Sequence, residues 1–160
     1  MLFAKLIDHF CTGNRSVTSG CPPGWHNANQ ACFLFDFQNA ATWSNARSFC
    51  HKLDADLAVV NDAMTMDVLA NQRNQMSFSN WELFLGLSGQ LYWVWSDGTN
   101  VQKTNNLWGP GEPSGDGMCG SFLNAIGWNS DWKGYGWRWN DQRCTSLLGY
   151  ICEEPLGGLG

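Results

Sequence analysis

The chain has 160 residues, 44% of them hydrophobic and 14% charged, with a formal net charge of −5. This length and balance suit one globular domain with its own core and argue against a disordered chain. The acidic charge, with no basic run, argues against nucleic acid or anionic membrane as a primary partner. No apolar run approaches the ~18 residues of a membrane span.

Met1 to Phe10 carry Lys5 and Asp8 among apolar residues and read as a short amphipathic lead-in rather than a signal peptide. Residues 12–20 are small and polar, a linker that holds the single glycosylation sequon Asn14-Arg15-Ser16. Cys21-Pro22-Pro23-Gly24-Trp25 opens the domain with turn chemistry. Ala31 to Phe37 sets Cys32, Leu34 and Asp36 against Phe33, Phe35 and Phe37, a strand with an aromatic inner face. Cys21 and Cys32 flank the preceding turn, which suggests a hairpin closed by their disulfide. Thr42 stands as the N-cap of a helix whose Trp43, Ala46 and Cys50 share one face, with Phe49 beside them. Leu57 to Val60 is a short apolar strand. Asn61-Asp62 then caps a second helix from Ala63 to about Asn71, with Met66, Leu69 and Ala70 inward, ended by the polar run to Asn80.

From Trp81 the pattern changes to short strands and turns. Phe84 to Leu87 is a buried strand, and Tyr92 to Trp95 is another, ended by the turn Ser96-Asp97-Gly98-Thr99. Leu107 to Gly120 is a Gly- and Pro-rich loop, Cys119 to Leu123 a strand, and Gly127 to Arg138 an insertion rich in Gly and Trp. Leu148 to Cys152 is the last strand. Two helices followed by many short strands give an α+β class.

Seven cysteines are spread along the chain with no CxxC pair, which points to disulfides and an oxidising, extracellular compartment rather than a zinc or redox motif. Glu112-Pro113-Ser114 and Trp139-Asn140-Asp141 supply two carboxylates, an amide and a hydroxyl beside Cys119 and Cys144. That oxygen inventory suits a hard cation, calcium above all. His9, His26 and His51 have neither metal nor triad spacing. Cys50-His51-Lys52-Leu53-Asp54 lacks the adjacent His-Asp pair of a calcium-dependent hydrolase, so no enzyme is expected.

In their order and spacing these pieces resemble the long form of the C-type lectin-like domain, over Cys21 to Glu153. The resemblance is carried by Cys-Pro-Pro-Gly-Trp at 21–25, the helix from Trp43 to Cys50, Phe84-Leu85-Gly86-Leu87 and Trp95-Ser96-Asp97-Gly98. It continues through Trp108, Gly111-Glu112-Pro113-Ser114, Cys119, Trp139-Asn140-Asp141, Cys144 and Tyr150-Ile151-Cys152-Glu153. It implies an N-terminal segment and linker over 1–20, the domain over 21–154 and a tail over 155–160. It also implies the disulfides Cys21–Cys32, Cys50–Cys152 and Cys119–Cys144. Closing a loop of roughly a hundred residues contributes on the order of 4 kcal/mol. Cys11 is left over, as an intermolecular bridge between two copies or as a free thiol.

The resemblance further implies a calcium held by Glu112, Ser114, Asn140 and Asp141, with Pro113 in cis and Asp141 giving both a side-chain oxygen and its backbone carbonyl. Two neighbouring sugar hydroxyls would complete the shell and hydrogen-bond the same residues. Position 114 is Ser where the family has Asn or Asp. Gly117 stands where mannose-binding members place a carboxylate two residues before the cysteine, and Asp116 is the expected substitute. Trp128, Trp132, Tyr135 and Trp137 precede the site and either stack on a sugar or pack the insertion. Trp132 and Trp137 are the expected carbohydrate contacts, which favours galactose-type over mannose-type sugars. The expectation is a secreted, calcium-dependent lectin for glycans. The second reading is a calcium-independent module of the same fold that binds a protein, mineral or ice surface.

Overall fold

A computed structural model describes residues 20–77, 82–89, 91–124 and 134–156. Cys11, Asn14, Trp128 and Trp132 lie outside the described residues. The chain starts with a hairpin of β1 (His26–Ala28) and β2 (Ala31–Ala41), turned by Asn29 and Gln30 at φ of 44° and 65°. The expected Cys21–Cys32 bond closes it, with a Cα–Cα distance of 5.4 Å. β2 runs beyond Phe37 because the Asp36 carboxylate accepts the Gln38 and Asn39 N–H groups and shifts the register before Ala41 rejoins the sheet. Of the three aromatic residues expected inside, Phe33 is fully buried. Phe35 and Phe37 are half-buried and stack on each other.

β2 pairs with the last strand, β9 (Leu148–Pro155), so the two ends of the domain lie side by side. Helix α1 (Trp43–His51) buries Ala46 and Cys50 and is tied to β9 by Cys50–Cys152, which closes a separation of 102 residues. Thr42 holds the N-cap position, but its side chain caps no backbone N–H and meets the Ser44 hydroxyl at 3.4 Å instead. The strand expected over Leu57 to Val60 is only β3 (Asp56–Leu57). Beyond it, Ala58 bridges two neighbours, donating N–H to Ile151 and accepting from Gly86. Helix α2 (Ala63–Asn74) starts where expected, with the Asp62 carboxylate accepting the Thr65 N–H at 2.8 Å. It continues past Asn71 because Arg73 is buried against the rings of Phe37 and Trp137, at 4.9 and 5.7 Å.

The sheet is organised around β4 (Glu82–Gly89). β9 lies parallel to its first half. β5 (Trp93–Trp95) and β7 (Cys119–Asn124) pair with it antiparallel, with β6 (Asn100–Val101) beyond β5 and β8 (Trp137–Gln142) beyond β7. β4 is buried on both faces, which explains its continuous apolar run. Leu83, Leu85 and Leu87 join the main core with the tryptophans, while Phe84 meets Tyr150, Ala46 and the Cys50 region on the other side. Trp93, Trp95, Trp108 and Trp139 form a chain of edge-to-face contacts with centroids 4.9 to 5.5 Å apart. The Nε1 atoms of Trp95 and Trp139 are buried and have no hydrogen-bond acceptor among the described residues. The third expected disulfide, Cys119–Cys144, ties the start of β7 to the turn after β8.

Candidate functional site

The tryptophan cluster brings the two ligand-bearing segments together. Trp139 donates its N–H to Leu107 and accepts from Gly109, and Trp108 packs edge-on against its indole. The loop from Leu107 is thereby laid along β8. A turn closed by Glu112 N–H to Gly109 C=O then leads into the Glu112–Pro113 peptide, which is cis as expected.

The cis turn aims the loop at Asp141. This residue is 1% exposed, and its carboxylate accepts four donors. They are Ser114 N–H at 2.7 Å, Ser114 Oγ at 3.2 Å, Gly115 N–H at 2.8 Å and Gly117 N–H at 3.2 Å. Glu112 accepts the same Ser114 N–H at 2.8 Å and is in side-chain hydrogen-bond contact with Asp141. Burial and the Asp141 carboxylate beside it push the Glu112 carboxyl up to about 7. Burial also pushes Asp141 upward, but its hydrogen bonds from Glu112 and the loop N–H groups outweigh that and hold it below the usual carboxylate range. The two act as one coupled pair.

Gly117 is required by this geometry. A Cβ there would collide with the backbone carbonyl of Gln142, so this backbone path leaves no room for a carboxylate side chain at that position. Asp116, its expected substitute, is exposed and makes no hydrogen bond or ion pair with Glu112, Ser114, Asn140 or Asp141 among the described residues. Asn140 is buried one residue before Asp141, and its contact runs elsewhere: Nδ2 donates to Glu82 Oε1 at 2.9 Å. Glu82 also accepts Ser121 Oγ at 2.5 Å and Gln142 Nε2 at 3.1 Å. Sequence reasoning passed over Glu82. Its only signal was an acidic residue at the edge of an apolar strand.

Trp137 requires a correction. Its ring stacks on Phe122 at 4.6 Å, its Nε1 donates to Asn74, and 4% of its surface is exposed. A ring so enclosed has no open face for a sugar and serves the core. Trp132 falls outside the described residues. Tyr135 and Met118 are exposed aromatic and apolar side chains on the segments leading into β8 and β7.

The donor set suits a hard cation of modest affinity. Glu112 and Asp141 are two carboxylates in contact, and neither has a Lys, Arg or His ion-pair partner among the described residues. The Ser114 hydroxyl is the donor in its bond to Asp141, so its oxygen lone pairs remain available. The set holds only two carboxylates. No group of three or more His, Cys, Asp or Glu comes together among the described residues. Were calcium held here, so low a ligand charge would put it at the weak end of calcium sites, Kd on the order of 10⁻⁴ to 10⁻³ M. A cleft of about 520 Å³ elsewhere, lined by Asp56, Asp62, Asp97 and Glu153 among others, shares no residue with this site.

Comparison with known proteins identifies the family of this fold. The Lectin C-type domain profile matches residues 39–154. The C-type lectin lectoxin-Lio3 of Erythrolamprus poecilogyrus is 30% identical, over 99% of this chain and 96% of its own length. Further curated relatives are longer, and the chain spans from 10% to 68% of them. Among solved structures, the C-type lectin domain of murine dendritic cell inhibitory receptor 2 in complex with N-glycan superposes with a TM-score of 0.70. It is 26% identical, over 85% of this chain and 99% of that one. The Ca2+-independent C-type lectin SPL-2 of Saxidomus purpuratus gives 0.73 at 26% identity, over 86% and 96%. With the family profile covering most of the chain, and the cis-proline loop, the paired carboxylates and all three disulfides in place, the chain belongs to the C-type lectin domain family.

Proposed function

We propose that the chain is a secreted, calcium-dependent carbohydrate-binding module that takes terminal sugar hydroxyls at the Glu112, Ser114, Asn140 and Asp141 site. The observation that carries this reading is the Glu112–Asp141 pair, two carboxylates pressed together with no cationic side chain among the described residues to neutralise them. Such a pair holds either a shared proton or a cation. Calcium, when bound, supplies the neutralising charge and open coordination positions for two neighbouring hydroxyls. The chain's own residues do the rest. Glu112 and Asn140 offer an acceptor and a donor to the same hydroxyls, and Asp141 keeps the loop seated through its four hydrogen bonds. Asp116, exposed on the same loop, is a further candidate ligand that a closing loop would have to bring in. The relative solved with N-glycan supports a glycan as the partner. With Trp137 in the core, the preference for galactose-type sugars rests on Trp132. Affinity for one sugar is modest by nature, and a Cys11-linked pair of chains would raise it by avidity.

The second reading is a calcium-independent module of the same fold that presents this loop to a protein, mineral or ice surface. It is favoured by the four donors that already fill the Asp141 carboxylate and by the likeness to a Ca2+-independent lectin. Immobilised galactose, mannose and N-acetylglucosamine, loaded in millimolar calcium and eluted with a chelator, separate the two. Retention followed by chelator elution is expected, from galactose first. No retention on any of the three resins sinks the lectin reading, and retention that a chelator leaves untouched sinks its calcium dependence.

A further inference from the structure

Glu82 sits on β4, two strands away from the Asn140 it touches, and reaches across β7 to it. The register accounts for this: Glu82 lies opposite Leu123, and Ser121 lies opposite Asn140. Three donors converge on its carboxylate, Ser121 Oγ, Asn140 Nδ2 and Gln142 Nε2. A carboxylate only accepts, so it dictates which end of a facing amide turns towards it. For Asn140 that end is the nitrogen. The other end, Oδ1, takes no hydrogen bond from any described residue. An amide held this way keeps its carbonyl oxygen unengaged, and that is the end a hard cation requires.

We infer that Glu82 is the positioning residue of the site: by accepting Asn140 Nδ2 it fixes the amide with Oδ1 free to serve as a ligand oxygen. This rests on the calcium reading above and adds a residue to it that touches neither ion nor sugar. The closest neighbours of Glu82 also explain why a carboxyl belongs there. Ser121 and Asn140 both donate to Oε1, so a single oxygen sets the amide, while Oε2 serves Gln142. Outer partners of this kind typically change metal affinity 10- to 100-fold when lost.

Two substitutions separate positioning from simple charge. Glu82→Leu removes the acceptor, while Glu82→Gln removes the charge but keeps an oxygen for Ser121 and Asn140. Calcium binding is read directly by calorimetry without sugar, with the calcium-free melting temperature as the folding control. Glu82→Leu is expected to lose at least tenfold in calcium affinity, and Glu82→Gln to stay within about threefold of the unmodified chain. Equal losses in both variants would mean charge alone, and no loss in the Leu variant would mean no role; either overturns the inference. A wild-type chain that takes up no calcium sinks the calcium reading itself, and the positioning role with it. A variant-free measurement covers the case in which Glu82→Leu does not fold. In the calcium-free wild-type chain, the Asn140 side-chain NH2 should give NMR signals displaced and protected from exchange, as one hydrogen-bonded proton requires. Averaged, solvent-like signals overturn the inference.

Discussion

Two acidic regions of this domain meet like-charge repulsion in opposite ways. Near the paired chain ends, Asp56 on β3 lies beside Glu153 on β9, and Arg47 from α1 reaches Asp56 with two hydrogen bonds of 2.9 and 2.8 Å. At the loop site, Glu112 and Asp141 are as crowded, yet no cationic side chain reaches them among the described residues. The first region carries its counter-charge within the chain. The second carries backbone N–H groups in place of a cation, which orient a carboxylate without cancelling its charge. Arg47 answers Asp56 alone, while Glu153 beside it and the Glu112–Asp141 pair have no cationic partner among the described residues. The loop pair, whose carboxylates are held only by neutral donors, is the one we propose takes its counter-charge from outside.

The strongest way to break this contrast is Asp141→Ala. It leaves the Gly115 and Gly117 N–H groups without their acceptor, leaves Ser114 N–H with Glu112 alone, and removes an oxygen of the proposed ligand set. Calcium-dependent sugar retention should fall by at least a hundredfold, and stability by about 2 kcal/mol. A variant that keeps both means the site lies elsewhere; column retention and a urea melt read the two effects.

Glu153→Gln sharpens the other side. Burial, with Asp97 and Asp56 nearby, pushes the Glu153 carboxyl up to about 7, against the pull of the Val59 N–H it accepts at 2.7 Å. A carboxyl raised in the folded state contributes stability that is complete below its unfolded value and is lost as pH rises through the folded one. The Gln variant should therefore be more stable than the parent by about 1–2 kcal/mol at pH 8, with the gap closing towards pH 4.5. Melts in chelator across that range check it, and a gap that does not change with pH refutes it.

Arg47→Ala has the smallest expected effect, about 1 kcal/mol, because the pair is about a third exposed and solvent screens it. Burial pushes Asp56 upward, but Arg47, the Leu57 N–H and His51 outweigh it and hold the carboxyl below its ordinary value. Its contribution is present at neutral pH and is lost as pH falls through that lowered value. The difference between Arg47→Ala and the parent should vanish once pH has fallen through that lowered value. A difference that survives there would assign the loss to packing of the Arg47 stem against Trp43.

What was legible in the sequence followed from local chemistry and from ordered motifs. The helix starting at Ala63 could be read because Asp62 caps it through its own neighbours. The cis Glu112–Pro113 peptide and the three disulfides came from the resemblance and stand in the structure. The end of α2 was not legible, since nothing near Arg73 in the chain announces that Phe37 and Trp137 will receive it. Thr42 failed as a side-chain cap for the complementary reason: its residue type was right, but its hydroxyl turned to Ser44.

Along the chain, then, the residues determined the α+β class, the cysteine framework and the two short segments that carry the oxygens. Tertiary structure alone decided which of those oxygens meet. It enclosed Trp137 between Phe122 and Arg73, left Asp116 in solvent, pressed Gly117 against Gln142 and set Glu82 behind Asn140. The physical reason is that side-chain direction in a sheet depends on strand register and on partners far away in sequence. A motif names the residue types of a site and leaves their orientation to the neighbouring strands.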